Sequence, residues 1–291
     1  MALLAAAVFA LAAGIDFYRH RFVRSDSDLF RFLPQRDATV FYMNIAALRH
    51  AGILQWIGAG ASIEESAYRE FIRQTGFDYT KDLDAVAGSA DATRIFFLIR
   101  GRFDWKKLQA YAGKCSAGIC DLPGSSRDRW ISFVEIQPDV MGLAIAADHR
   151  AAATLCTRQS QPGGFSQAPL WISFSHALLS NPGSLPLAFR LFAISLQSAN
   201  SVVLSLEPND STSAPFKIEL DARCANAAAA DTVRHQLELD TRMMQLALAR
   251  EHTARDPAGL SGLLTAGTFQ ATGTHVAGIW PVRGELLKAL Q

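Results

Sequence analysis

The sequence lacks any excess of charge: 28 lysines and arginines stand against 27 aspartates and glutamates, a formal net charge of +1. A polyanion held by counterion release needs a basic field, so nucleic acid is excluded as an expected partner. Cysteine is scarce, with four in 291 residues. Cys156 and Cys224 stand alone, so Cys115-x-x-x-x-Cys120 has no second pair at metal-ligand spacing. The seven histidines never fall at the i, i+4 spacing that puts two ligands on one helix face. No Gly-x-Ser-x-Gly elbow occurs, and Gly58-Ala59-Gly60-Ala61 lacks the third glycine of a dinucleotide loop. Asp78, Asp82 and Asp84 lack the central glycine and trailing glutamate of a calcium loop and read as capping and solvating groups. No catalytic, cofactor-binding or metal residue is therefore assigned, and no cofactor is expected.

What is present is a globular composition, 49% hydrophobic and 19% charged, behind an apolar run over residues 2–15 that Asp16 closes. A spanning helix wants roughly 20 apolar residues. The run gains length if Phe17, Tyr18 and Phe22 lie in the interface, while Arg19, Arg21, Arg24 and Arg31 with His20 meet lipid headgroups. Residues 1–24 are read as an N-terminal membrane anchor or signal segment. An uncleaved anchor is preferred to a cleaved signal, although Ala10-Leu11-Ala12 fits the cleavage pattern. The arginines argue for a cytoplasmic body. Against them, Gly118 lets the short loop between Cys115 and Cys120 close as a disulfide in an oxidising compartment. The reading places the body on the extracytoplasmic, periplasmic side, with Cys156 and Cys224 buried as small apolar residues.

The periodic signals describe an α+β protein. Residues 216–222 alternate apolar and charged side chains, residues 201–207 form a second β-rich run, and Pro208-Asn209-Asp210-Ser211 supplies a turn between them. Similar hairpins are expected over 130–146 and 268–280. Ser62 with Glu65 forms a capping box for a helix that Gly76 stops. Asp104 caps a shorter helix that ends at Gly113. A helix over 148–156 follows, and a last one starts at Gly284. A long helix over 227–250 carries Val233, Leu237, Leu239, Met243, Met244, Leu246 and Leu248, read as one broad apolar stripe. The order β-α-β-β-α-β-β-α occurs twice. It predicts two similar halves, residues 25–160 and 165–291, each an antiparallel sheet with helices packed on one face, joined through Ser160-Gln161-Pro162-Gly163-Gly164.

Leu33-Pro34, the run from Asp37 through Ala38, Thr39, Val40, Phe41, Tyr42 and Met43 to Asn44, then Thr75-Gly76-Phe77-Asp78, Lys81-Asp82-Leu83 and Phe96-Phe97-Leu98 add a further signal. This pattern, mainly over residues 33–112, resembles the bacterial membrane-anchored proteins of unknown function whose domains open with a Leu-Pro-x-Asp-Thr signature. The resemblance implies an anchored extracytoplasmic protein and brings no activity with it. The expected function is an interaction or scaffold module without catalysis, bound to the membrane through its N-terminal segment and to a protein partner. Two alternatives are a carrier that holds an apolar ligand or lipid between sheet and helices, and a hydrolase without a legible motif. Trp56, beside the Gly58-Gly60 joint, is the candidate exposed contact.

Overall fold

The computed structural model of the chain describes residues 25–51, 53, 65–124, 126, 128–159, 166–181, 187–250, 259–284 and 286. The anchor segment 1–24, the Ser62 cap, Trp56 and the joint at 160–164 lie outside the described residues. Among the described residues no helix is long and apolar enough to cross a membrane.

Helix α1 (Asp26–Leu29) runs into a 3-10 turn (Phe30–Phe32) and precedes β1 (Thr39–Met43) and α2 (Ile45–His50). Then come α3 (Glu65–Thr75), α4 (Tyr79–Asp82), β2 (Leu83–Ala90), β3 (Ile95–Gly101) and α5 (Trp105–Ala112). Strands β4 (Cys115–Ser116), β5 (Ile119–Pro123), β6 (Trp130–Gln137) and β7 (Val140–Ala146) follow, with a 3-10 helix at Ala151–Cys156. The rest of the chain forms β8 (Leu170–Phe174), α6 (His176–Ser180), α7 (Leu187–Ser195), β9 (Ala199–Pro208) and β10 (Phe216–Cys224). It ends in α8 (Ala227–Arg250), α9 (Leu260–Leu264), β11 (Thr268–Thr272) and β12 (His275–Val282).

All twelve strands belong to one antiparallel sheet in the order β11-β12-β10-β9-β8-β1-β2-β3-β7-β6-β5-β4. The expectation of two separate sheets gives way to this continuous one, because β1 pairs with β8 and Tyr42 stands opposite Trp171. An edge strand left unpaired would expose a row of backbone donors and acceptors, and the β1–β8 seam removes both edges at once.

Helical cover differs along the sheet. On one face, Tyr42, Ala87, Leu98 and Gly142 lie in register across β1, β2, β3 and β7. Leu29, Phe30, Phe32 and Leu33 close this face from above, together with Ala152 and Leu155 of the later 3-10 helix. On the opposite face, Leu108, Phe71 and Trp105 cover Phe133, Met141 and Cys120. The same face continues through Ile172, Leu204 and Leu220, where α7 and α8 pack. Strands β2, β3 and β7 are thus covered on both sides, which is why β3 reads Ile-Phe-Phe-Leu-Ile without alternation. Strand β10 alternates because its Lys217, Glu219, Asp221 and Arg223 face no helix. Helices on one face only, as expected, describes the β9–β12 region and not the β2–β7 region.

The cap readings at two helices match the geometry. Asp104 accepts the Lys107 N–H at 3.1 Å, and Gly113 and Gly76 adopt left-handed φ of +72° and +74°. Two local readings change. Residues 151–156 form a 3-10 helix rather than an α-helix. Arg31, in the 3-10 turn after α1, pairs with Asp28 at 3.2 Å, and its carbonyl accepts the Gln159 N–H at 2.6 Å. Cys224 is buried as expected, whereas Cys156 is exposed because it ends the 3-10 helix while Leu155 turns inward.

Candidate functional site

The α1 segment lies across the sheet at the β1–β8 seam. Phe30 packs on Trp171 and Tyr42 with ring centroids 5.2 and 5.8 Å apart, and Tyr42 and Trp171 are 6.3 Å apart. Beneath this aromatic group, Asp26 accepts hydrogen bonds from the Tyr42 hydroxyl and from the Arg100 guanidinium, with Asn44 Nδ2 at 3.5 Å. Burial pushes the Tyr42 phenol above the ordinary tyrosine range, and donation to the Asp26 carboxylate pushes it further the same way. Both effects favour the protonated phenol, which donates to Asp26. Sequence reasoning missed this cluster, since its members stand 16 and 74 residues apart.

Two clefts open at the ends of β1. The first, of about 440 Å³, is bounded by Asp26, Tyr42, Asn44, Ser166 and Trp171. The second, of about 660 Å³, lies between the 34–38 loop and the β2–β3 turn, with Gln35, Ser89, Asp91, Arg94, Phe96 and Gln159 around it. In that turn Asp91 accepts the Thr93 and Arg94 N–H groups and holds the Arg94 guanidinium in a fork at 3.0 and 2.8 Å. Burial raises the Asp91 carboxyl, but these donors outweigh it and lower the group to about 2. At the N-terminus of α4, hydrogen bonding from the Thr80 hydroxyl, opposed by burial and joined by Lys81 and Tyr68, holds Asp78 well below the usual carboxylate range. Asp78 caps α4, in keeping with its reading as a capping group.

Cys115 and Cys120 stand opposite each other across β4 and β5, with Cα atoms 4.0 Å apart, and form a disulfide. Gly118 takes a φ of +78° in the tight turn between them. Beside it a shallow groove is lined by Lys114, Ser116, Asp121, Trp130 and His149, where His149 Nδ1 lies 3.9 Å from Asp121. Among the described residues no three histidine, cysteine, aspartate or glutamate side chains converge as a metal site. The two remaining thiols give a direct reading of the fold. Alkylation of the native protein is expected to label Cys156 and to spare Cys224 until denaturant is added, with Cys115 and Cys120 unlabelled unless reduced. Partial burial raises both free thiols, so Cys156 reacts faster as the pH is increased. Peptide mass spectrometry of the labelled chain measures the order.

The long helix α8 does not bury a single broad stripe. Ala230, Val233, Leu237 and Thr241 point at the sheet, and Met244 packs against the same core. Leu239, Met243 and Leu246 point outward, 41%, 61% and 55% exposed. A helix stripe much wider than the roughly 100° that one core face needs leaves its excess on the outside. Ser195 of α7 donates to Asp240 and so ties α7 to α8, and the neighbouring Ile194 is 52% exposed. An apolar cavity of about 130 Å³ lies beneath the helices, lined by side chains that include Phe192, Leu204, Leu237 and Trp280. Comparison of the chain with family models, with characterised proteins and with solved structures finds no match.

Proposed function

We propose that the protein is a membrane-anchored extracytoplasmic interaction module without catalytic activity, and that it binds a protein partner through the outer face of α7 and α8. The observation that carries this reading is the concentration of exposed apolar surface. Of six exposed large apolar side chains among the described residues, Leu239, Met243 and Leu246 belong to α8 and Ile194 to α7, which packs against it. Leu239, Met243 and Leu246 follow the i, i+4, i+7 spacing with which an amphipathic helix enters a groove. Arg242 and Arg250 are exposed on the same stretch, while Glu238 and Asp240, on either side of Leu239, are engaged by Arg234 and by Ser195 and Gln236. The partner is therefore an apolar groove rimmed by aspartate or glutamate.

Two further features support the reading. The Cys115–Cys120 disulfide belongs to an oxidising compartment. Read outward from the seam, the strand order is β1-β2-β3-β7-β6-β5-β4 on one side and β8-β9-β10-β12-β11 on the other, so the first five strands of each side follow the same path and the β4–β5 hairpin is an addition to one of them, which fits two similar halves built around the β1–β8 pair. The carrier alternative has the apolar cavity in its favour, but at about 130 Å³ the space falls short of the roughly 300–1,000 Å³ of a drug-sized ligand site. It suits a molecule near the size of benzene rather than a lipid.

Photocrosslinking in the protein's own cell tests the docking face. A benzophenone residue at Met243 is expected to give one discrete adduct with a different protein, and the same residue at Gln270 on the far side of the sheet is expected to give none. Adducts from Met243 that contain only a second copy of the chain or only lipid, or no adduct at all, would overturn the reading.

A further inference from the structure

We infer that the 660 Å³ cleft between the 34–38 loop and the β2–β3 turn binds a small uncharged saccharide. Its lining holds two buried polar atoms without a hydrogen-bond partner in the protein, Gln35 Oε1 and Ser89 Oγ. Ser89 is 1% exposed. A buried hydroxyl or amide oxygen left unpaired costs about 1–3 kcal/mol, and such groups persist where something else satisfies them. The Gln35 amide is oriented by its own Nε2, which donates to the Phe30 carbonyl, so Oε1 is held as a fixed acceptor. Ser89 stands between Val40 and Phe96 in the strand register and is held on that face by the sheet.

The chemistry of these groups selects the ligand class. Both unpaired atoms are neutral, and the charged groups of the turn, Asp91 and Arg94, are already spent on each other. Arg36 and Asp37, at the exposed mouth, are of opposite sign and leave no net charge for an ion. A ligand with adjacent hydroxyls meets both needs at once. One hydroxyl donates to Gln35 Oε1, and the next donates to or accepts from Ser89. Pro34 and Ala38, both partly exposed, add apolar surface for the C–H face of a pyranose ring.

The test uses the full chain in detergent, titrated calorimetrically with glucose, N-acetylglucosamine and maltose to tens of millimolar, with glycine and leucine as zwitterionic controls. At least one sugar is expected to bind, and Ser89→Ala is expected to weaken it about fivefold, the loss of one hydrogen bond. The same variant is expected to melt at or above the parent temperature, because it removes an unpaired buried hydroxyl. No sugar binding, binding unchanged by Ser89→Ala, or binding of the amino acids alone would each overturn the inference. So would a lower melting temperature for Ser89→Ala, which would show that the hydroxyl serves the fold.

Discussion

Trp171→Ala is expected to lower the unfolding free energy by about 3–5 kcal/mol, the range for removing a buried large aromatic side chain. Trp171 is 2% exposed and is among the largest fully buried side chains of the protein. Its position gives the loss a wider consequence than its volume alone. It belongs to β8, yet it packs into the cluster formed by Leu29, Phe30, Tyr42 and Ala87, which lie far earlier in the chain. Truncation opens a cavity under α1 at the seam between β1 and β8. Urea unfolding followed by far-ultraviolet circular dichroism measures the effect as a shift in midpoint at nearly constant slope. Trp171→Phe keeps most of the volume and is expected to lose well under half as much.

Asp26→Ala is expected to cost about 2 kcal/mol, below the 3–5 kcal/mol of a fully buried broken pair, because the Asp26 side chain keeps some contact with water. Its relative exposure is 34%, against 18% for Arg100. The substitution strips the acceptor from the Tyr42 hydroxyl and from the Arg100 guanidinium together, and Arg100 Nε already lacks a partner. The penalty therefore comes from what is left behind. Tyr42→Phe removes a single donor and is expected to cost about 1 kcal/mol. The double variant Asp26→Ala with Tyr42→Phe is expected to be less destabilised than the sum of the two, which a thermodynamic cycle of urea midpoints reads directly.

Local chemistry was legible in the sequence where one residue type has one physical use. Asp104 and Gly113 delimit α5, and the alternating run at 216–222 is a strand with one open face, because caps and period-two patterns depend on neighbours only. Seam pairing was not legible. The residues of β1 and β8 are separated by more than a hundred positions, and two strands with apolar faces fit two sheets as well as one. The double cover of β2, β3 and β7 left a trace in their unbroken apolar runs, a sign that a second layer lies above them. That layer is α1 and the 3-10 turn after it, which are too short to carry a helical period in the sequence. Arg100 was a further clue, since alternation places it on the same face as Phe96 and Leu98, where a cation needs a counter-charge. Its partner, Asp26, lies 74 residues away and has no local mark. Likewise the composition of α8 gave the apolar stripe, but only packing divides Leu237 from Leu239, one facing the core and the other solvent.

Amide hydrogen exchange on the parent and on Trp171→Ala tests the continuous sheet most directly. If β1 and β8 are neighbours in one cooperative unit, the variant loses protection on both sides of the seam, in β1 and β2 as well as in β8 and β9. Loss confined to residues 166–208, with β1 and β2 as protected as in the parent, would show two independent sheets and contradict the seam.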